Sequence, residues 1–459
     1  MPTANNSRQE LKDLETRPIG HLLWVYSLPA VVGMVVMSLY NVIDRIFIGR
    51  GVGSDAIAGL AITFPVMNLS AAIGVLIGAG AAACISIMLG RKDYRSAELV
   101  LGNSIVLTLL NATIYLSIFA LFIDEILTAF GASEASLPYA RDFMLYILPG
   151  MLMMNLSFSF NNIMRASGYP VKAMITMFIG AGANIILAPV FIFGLGWGIK
   201  GAAIATDISM GISMLFVMAH FFSAKSTLRF HRGIYRLRWK TITGIIAIGA
   251  APSLVNAAGS AINVILNTSL YRHGGDAAVA AAGIFTTYTS LLTTVVVGLC
   301  QGLQPVIGYN YGAGRLDRLK KAFRLSVGAG TAVCTIGFAF GQLFPELIAK
   351  AFTIDNTLIA VTANGLKISL IMFWCAGLQI VSTTLFQSIG KAGKSIFLSL
   401  TRQVIFLIPL LLILPHFYGL NGVWASFPAS DTCATAVTVA MVAWQLRQLN
   451  RDACKRLIS

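Results

Sequence analysis

Apolar stretches of about 20 residues, each long enough to cross the hydrocarbon core of a bilayer, recur from residue 22 to residue 446. Only short loops of Gly, Pro or charged residues separate them. In lipid, each backbone N–H and C=O must be satisfied internally, and stretches this long without strict alternation can do that only as helices. Twelve spans are expected, at 22–48, 56–88, 98–123, 141–164, 173–195, 200–222, 241–270, 277–308, 322–345, 360–388, 395–416 and 420–446. Composition agrees: 11% of residues are charged, against roughly 25% in soluble domains. The expected fold is an all-α integral membrane protein.

A net charge of +15 could suit a nucleic-acid binder, but the basic residues collect in every second loop. Arg91, Lys92 and Arg95 follow the second span, and Arg165 and Lys172 flank the fourth loop. The central loop "KSTLRFHRGIYRLRWK" is the most basic, and the loop after the third span, "DEILTAFGASEASLPYARD", is acidic. This is the positive-inside pattern, which puts the basic loops and, with an even number of spans, both termini in the cytoplasm. No nucleic-acid partner is expected. The first apolar stretch lacks a small-residue cleavage site and reads as a retained span rather than a signal peptide. Six cysteines without a CxxC pair indicate neither a disulfide framework nor a metal site.

Shifting the chain on itself by about 223 residues superposes unusual positions in five places. Pro29 falls on Pro252, Gly74 and Gly78 on Gly298 and Gly302, and "GRKD" on "GRLD". "GYPVK" falls on "GKAGK", and "GIKG" on "GLNG". Each half holds six spans, so the halves are parallel repeats facing one another across a central cleft. The divisions are an N-terminal segment 1–21, an N-lobe 22–222, a basic linker 223–240, a C-lobe 241–446 and a tail 447–459.

No enzyme motif is present. "GKAGKS" would need Gly at position 388 to be a phosphate loop, and Ser388 stands there. HExxH, paired catalytic carboxylates and a nucleophile elbow are absent. No cofactor and no metal are expected, and any uphill transport must draw on an ion gradient.

An aspartate in a spanning helix costs about 2.5–3.5 kcal/mol on insertion scales, which makes it a functional candidate. Asp44 lies roughly 8 Å below the outer end of the first span, with Tyr40 one turn deeper on the same face. Asn184 on the fifth span and Thr206 and Asp207 on the sixth reach comparable depth. Met37, Met177 and Met210 stand near Asp44, Asn184 and Thr206, so a polar knot topped by polarizable thioethers suits a proton site beside a tolerant apolar cavity. Asn161 on the fourth span could bond a ligand. In the second half the ionisable residues are Arg402 and Asp431 on neighbouring spans, read first as a structural pair and second as a substrate contact.

"SLPAVVGMVVMSLYNVIDRIFIGR", "ANIILAP" followed by "GIKGAAIAT", "GLQPVIGYNYGAG" and "LTRQVIFLIPL" together resemble the multidrug and toxic compound extrusion (MATE) family over essentially the whole chain. The resemblance implies a cation-coupled antiporter of amphipathic, often cationic compounds. It belongs in a bacterial inner membrane and is expected to be monomeric. Asp44 would be its coupling carboxylate, Pro29 the bend point of the first helix, and Tyr40, Asn184 and Thr206 polar neighbours. Two departures matter. Ala188 stands where many relatives carry Asp, and Ser260 where the NorM-like branch carries Glu. The first removes a hard oxygen ligand and so favours H+ over Na+, and the second places the chain nearer the DinF-like or MepA-like branches. Asp207 either partly replaces the carboxylate lost at Ala188 or faces elsewhere. The alternatives to a proton-coupled exporter are a Na+-coupled one, a lipid-linked saccharide flippase, and a non-transporting membrane scaffold or receptor, which would give no reason for a parallel repeat. The flippase would need a strongly cationic cavity, whereas Arg402 is the clear mid-span Arg.

Overall fold

The computed structural model describes residues 12–51, 54–130, 136–223 and 225–458. The first half consists of α1 (Ile19–Gly51), α2 (Ser54–Gly90), α3 (Tyr94–Leu121), α4 (Leu137–Ala166), α5 (Pro170–Pro189, extended by a π turn Val190–Gly194) and α6 (Gly198–Phe222). The second half opens with a helical stretch from Trp239 to Gly312, 74 residues long. A straight helix of that length would run about 110 Å, more than three hydrocarbon cores. It breaks at Gly275, where φ is 64° and ψ −161°, into α7 (239–274) and α8 (276–312). α9 is Leu316–Leu343, and α10 is two pieces, Asn356–Ser369 and Phe373–Ser388, bent by 55°. α11 starts as Ala392–Leu400, passes through a π segment Thr401–Leu407, and ends before Gly419 (φ 55°), after which α12 begins at 420. These are the twelve helices of the expected fold, and no strand occurs among the described residues.

Four turns at the basic end share one construction. Lys92 N–H bonds Leu89 C=O at 3.0 Å and Asp93 N–H bonds Met88 C=O at 2.9 Å. The same pair of bonds closes α4 through Gly168 and Tyr169, α8 through Gly314 and Arg315, and α10 through Gly390 and Lys391. This is the Schellman termination, which needs a left-handed residue. Gly168, Gly314 and Gly390 supply it without strain, while after α2 it is Lys92, at φ 61°. Asp93 then caps α3 by accepting the Ser96 N–H at 3.1 Å, a bond that holds its carboxyl below the ordinary aspartate value, aided by Arg91 and Arg95.

The turns also correct the register of the repeat. Sequence matching laid Gly90 over Gly314, whereas the backbone lays Lys92 over Gly314 and Gly90 over Gly312, an offset of 222. Gly90 packs on the backbone of Tyr309 and Gly312 on that of Ile87, so the two contacts are mirror copies across the lobes. The GxxxG pairs are not equivalent. Gly74 and Gly78 pack inside the N-lobe against Asn155 and Ser159 of α4, but Gly298 and Gly302 pack across the cleft on Val31 and Ser27 of α1. A slip of two residues turns a helix face by about 200°, which is why a match by residue type joined opposite faces.

These glycines place the lobe contact. Gly80 meets the Ile245 backbone and Gly249 the Leu76 backbone, while Ser27 donates to Leu299 C=O at 3.2 Å and Gln304 to Ala79 C=O at 3.0 Å. Among the described residues, these hydrogen bonds between the lobes join the halves of α1, α2 and α4 nearest the basic loops to the same half of α8. The segment before α1 adds to this closure. Leu14 is fully buried, Glu15 pairs with Arg315 at 2.6 Å, and Arg318 donates to the carbonyls of Leu14 and Arg17. The lobes are sealed at the basic end.

Candidate functional site

In the N-lobe, α1, α5 and α6 converge on a polar cluster. Asn184 Nδ2 donates to Thr206 Oγ1 at 3.0 Å, and Thr206 donates to its own helix at Ala202 C=O, 2.9 Å. Tyr40 lies near Thr206, and it stands one turn from Asp44 on α1. Tyr40, Asn184 and Thr206 are 9%, 1% and 5% exposed, and Asp44 is half-buried with Oδ1 shielded from solvent. At this depth a hydroxyl or amide without a partner is costly, so the three helices are held together by the groups that surround the acid. Side-chain placement of Arg45 and Ser260 lies outside the described residues.

Asp207 is not turned toward this cluster. Successive residues on α6 point about 100° apart, so with Thr206 facing α1 and α5 the next side chain faces α4. A Cβ added to Gly150 would overlap the Asp207 carboxylate, which therefore rests on the α4 backbone where a glycine makes room. Asp207 Oδ1 is buried there without a partner among the described residues. The structure thus separates Asp207 from the position it would need to stand in for Ala188, which is fully buried between the helices.

Of the proposed cavity residues, Met177 packs its sulfur against Gly33 of α1, one turn beyond Pro29, and Met37 and Met210 are half-buried. α1 is uninterrupted through Pro29, although proline removes the bond that the Val25 carbonyl would otherwise accept. Asn161 lies on α4 as expected, within a hydrogen-bonded group. Its Nδ2 donates to Ala173 C=O at 2.6 Å and its Oδ1 accepts from Arg165 at 3.0 Å, so the amide is engaged in holding the buried arginine and the next helix.

Sequence reasoning counted Arg165 as a loop cation. It is 3% exposed, and its guanidinium donates to Asn161, to Asn162 at 3.3 Å and to Gln301 of the opposite lobe at 2.6 Å. The available signal was "NNIMRA", which places two amides three and four residues before the arginine, one helical turn away.

In the C-lobe, Arg402 Nε donates to Asp431 Oδ1 at 2.6 Å and Nη2 to Oδ2 at 3.4 Å. Gln379 of α10 braces α12 through Asp431 C=O at 2.9 Å and Thr435 Oγ1 at 2.7 Å. A cavity of about 240 Å³ opens against the pair, lined by Phe285, Phe373, Phe427, Thr289 and Gln403 among others. Among the described residues, no group of three or more His, Cys, Asp or Glu could hold a metal ion.

The chain resembles known proteins along nearly its full length. It is 28% identical over 432 residues to the multidrug export protein MepA of Staphylococcus aureus (strain MRSA252), covering 93% of this chain and 94% of MepA. A structure of the outward-facing conformation of a multidrug resistance MATE family transporter of the MOP superfamily superposes with a TM-score of 0.90 at 24% identity, covering 96% of this chain and 98% of that one. A MATE crystal structure in the straight conformation gives 0.89 at 25% identity, over 96% and 98%. The MatE family model matches twice, at residues 29–190 and 252–413, once in each half of the repeat. With both halves matched, most of each lobe accounted for and the fold shared throughout, the chain belongs to the MatE family of multidrug and toxic compound extrusion transporters.

Proposed function

We propose that this MATE transporter exports amphipathic organic cations across a bacterial inner membrane by proton-coupled antiport, with both termini cytoplasmic and a single chain as the working unit. The observation that carries this reading is the placement of Asp44 one turn from Tyr40, which lies near the Thr206–Asn184 bond joining α5 to α6. A proton arriving at Asp44 removes a charge from the end of a network that ties α1 to its neighbours. α1 is the helix able to respond, because Pro29 has freed a carbonyl and Gly33 lets it slide on Met177. The closed basic end fits the outward-facing step of the cycle. In the opposite step, the backbone contacts at Gly80, Gly90, Gly249 and Gly312 would part and substrate would enter from the cytoplasm.

The test is ethidium transport into vesicles containing purified protein, driven by a proton gradient, with and without Na+. The native protein is expected to transport without Na+, and Asp44→Asn to lose gradient-driven transport while remaining folded. A strict Na+ requirement, or full transport by the mutant, would overturn proton coupling through Asp44.

A further inference from the structure

The cavity beside Arg402 differs chemically from the acidic cluster of the N-lobe. Arg402 sits inside the π segment of α11, a wide turn that commonly marks functional positions. Its own carbonyl is satisfied from outside the helix by the Ser430 hydroxyl at 2.7 Å, so the wide turn is held in place rather than frayed. The guanidinium meets Asp431 side-on through Nε and Nη2. Its Nη1 edge is engaged by no side chain among the described residues, and the side chain is 27% exposed where it lines the cavity. Asp431, in contrast, is 4% exposed. The charge available to a ligand is therefore the cation, in a site whose own net charge is zero.

A simple organic cation gains nothing there, because it meets Arg402 first. A simple anion would leave a net negative charge deep in the membrane protein, at a cost of several kcal/mol. A zwitterion avoids both. Its carboxylate takes the open fork of Arg402, as a planar guanidinium permits. Its cationic end has the Gln403 carbonyl oxygen, a buried acceptor with no partner among the described residues, and the ring faces of Phe285 and Phe427, whose centroids lie 4.9 Å apart.

We infer that the C-lobe cavity is a subsite for the carboxylate of zwitterionic aromatic substrates, with Arg402 as the contacting cation and Asp431 holding it in position. The inference rests on the exporter reading above and assigns to it a specificity-determining contact in the C-lobe. The probes are rhodamine 110, a zwitterion in its open free-acid form, and its methyl ester rhodamine 123, a cation with the same ring system. Binding to solubilised protein by fluorescence polarisation needs no gradient, so the subsite is read separately from transport. The native protein is expected to prefer the acid. In Arg402→Gln/Asp431→Asn, which removes both charges together, the acid-to-ester preference should fall about tenfold, the scale of one charged hydrogen-bond partner. Arg402→Lys, which keeps an ion pair but loses the second edge, should also lower it. An unchanged preference in these variants, including one in which both affinities fall together, would overturn the subsite. Failure of the native protein to transport either dye would instead count against the exporter reading.

Discussion

Gln301 of α8 accepts a 2.6 Å hydrogen bond from Arg165 of α4, so a buried arginine in one lobe is held by an amide of the other. The remaining bonds of the guanidinium are to neutral amides of its own helix, Asn161 and Asn162. A buried cation supported by neutral oxygens depends strongly on each of them. Losing one charged hydrogen bond costs about 1.5–3 kcal/mol. Gln301→Leu is therefore expected to weaken the seal at the basic end and raise the inward-open population about tenfold or more. The reporter is Cys84 on α2, which lies against Gly244 of α7 within the seal. In a variant retaining only this cysteine, labelling by an impermeant maleimide from the basic side should accelerate with Gln301→Leu. Unaltered labelling would show that the glycine contacts hold the lobes without Arg165.

Lys92 is the left-handed residue of a turn that uses Gly168, Gly314 and Gly390 at the other three positions. A side chain in that conformation costs roughly 1 kcal/mol or somewhat more, which glycine avoids. Lys92→Gly should raise thermal stability in detergent by about that amount, read as a higher Tm. Gly314→Ala should lower it through the same term. A lower Tm for Lys92→Gly would mean that the lysine contributes a contact larger than its strain.

These positions show what the sequence could and could not convey. The spans and the two-fold repeat were legible because lipid leaves no alternative to long apolar helices, and because glycine turns recur along the chain. The polar trio Tyr40, Asn184 and Thr206 was legible by counting depth from the span ends. What a depth count cannot supply is direction around the helix axis. Asp207 shares the depth of Thr206 but faces Gly150, and Gly74 shares a motif with Gly298 but faces another helix. Arg165 was misplaced for a related reason. It lies at the end of α4 beside a loop, yet Gln301 of α8, 136 residues away in sequence, covers it.

Arg318 fastens the segment before α1 to α9 by donating to the carbonyls of Leu14 and Arg17 and to Asn310 Oδ1 at 3.1 Å. The neighbouring Glu15–Arg315 pair is partly exposed, and such pairs contribute about 0–1 kcal/mol. The two should separate under mutation. Glu15→Gln is expected to leave protection of the segment from protease almost intact, whereas Arg318→Ala strands two carbonyls and should make cleavage there severalfold faster. Equal sensitivity would mean that the ion pair, not the carbonyl contacts, fastens the segment.

The two acids of the N-lobe offer the sharpest division of roles. Asp44 shares its surroundings with Tyr40, and through Tyr40 with the hydrogen bond between α5 and α6. Asp207 rests on Gly150 in α4, away from that bond. A proton on Asp207 therefore has no direct route to α1, the helix containing Pro29. Asp207→Asn is expected to keep proton-driven ethidium transport within about twofold of the native rate with the same pH dependence, since a neutral isostere fits the space that Gly150 leaves. Gly150→Ala places a methyl group on the carboxylate and should cost about 1–3 kcal/mol of stability, seen as a lower Tm. Combining it with Asp207→Ala should recover much of that loss, because the overlap is with the acid itself. If Asp207→Asn instead shifted the pH profile of transport, the two carboxylates would be titrating as a pair despite facing different helices. The coupling site would then span α1, α4 and α6.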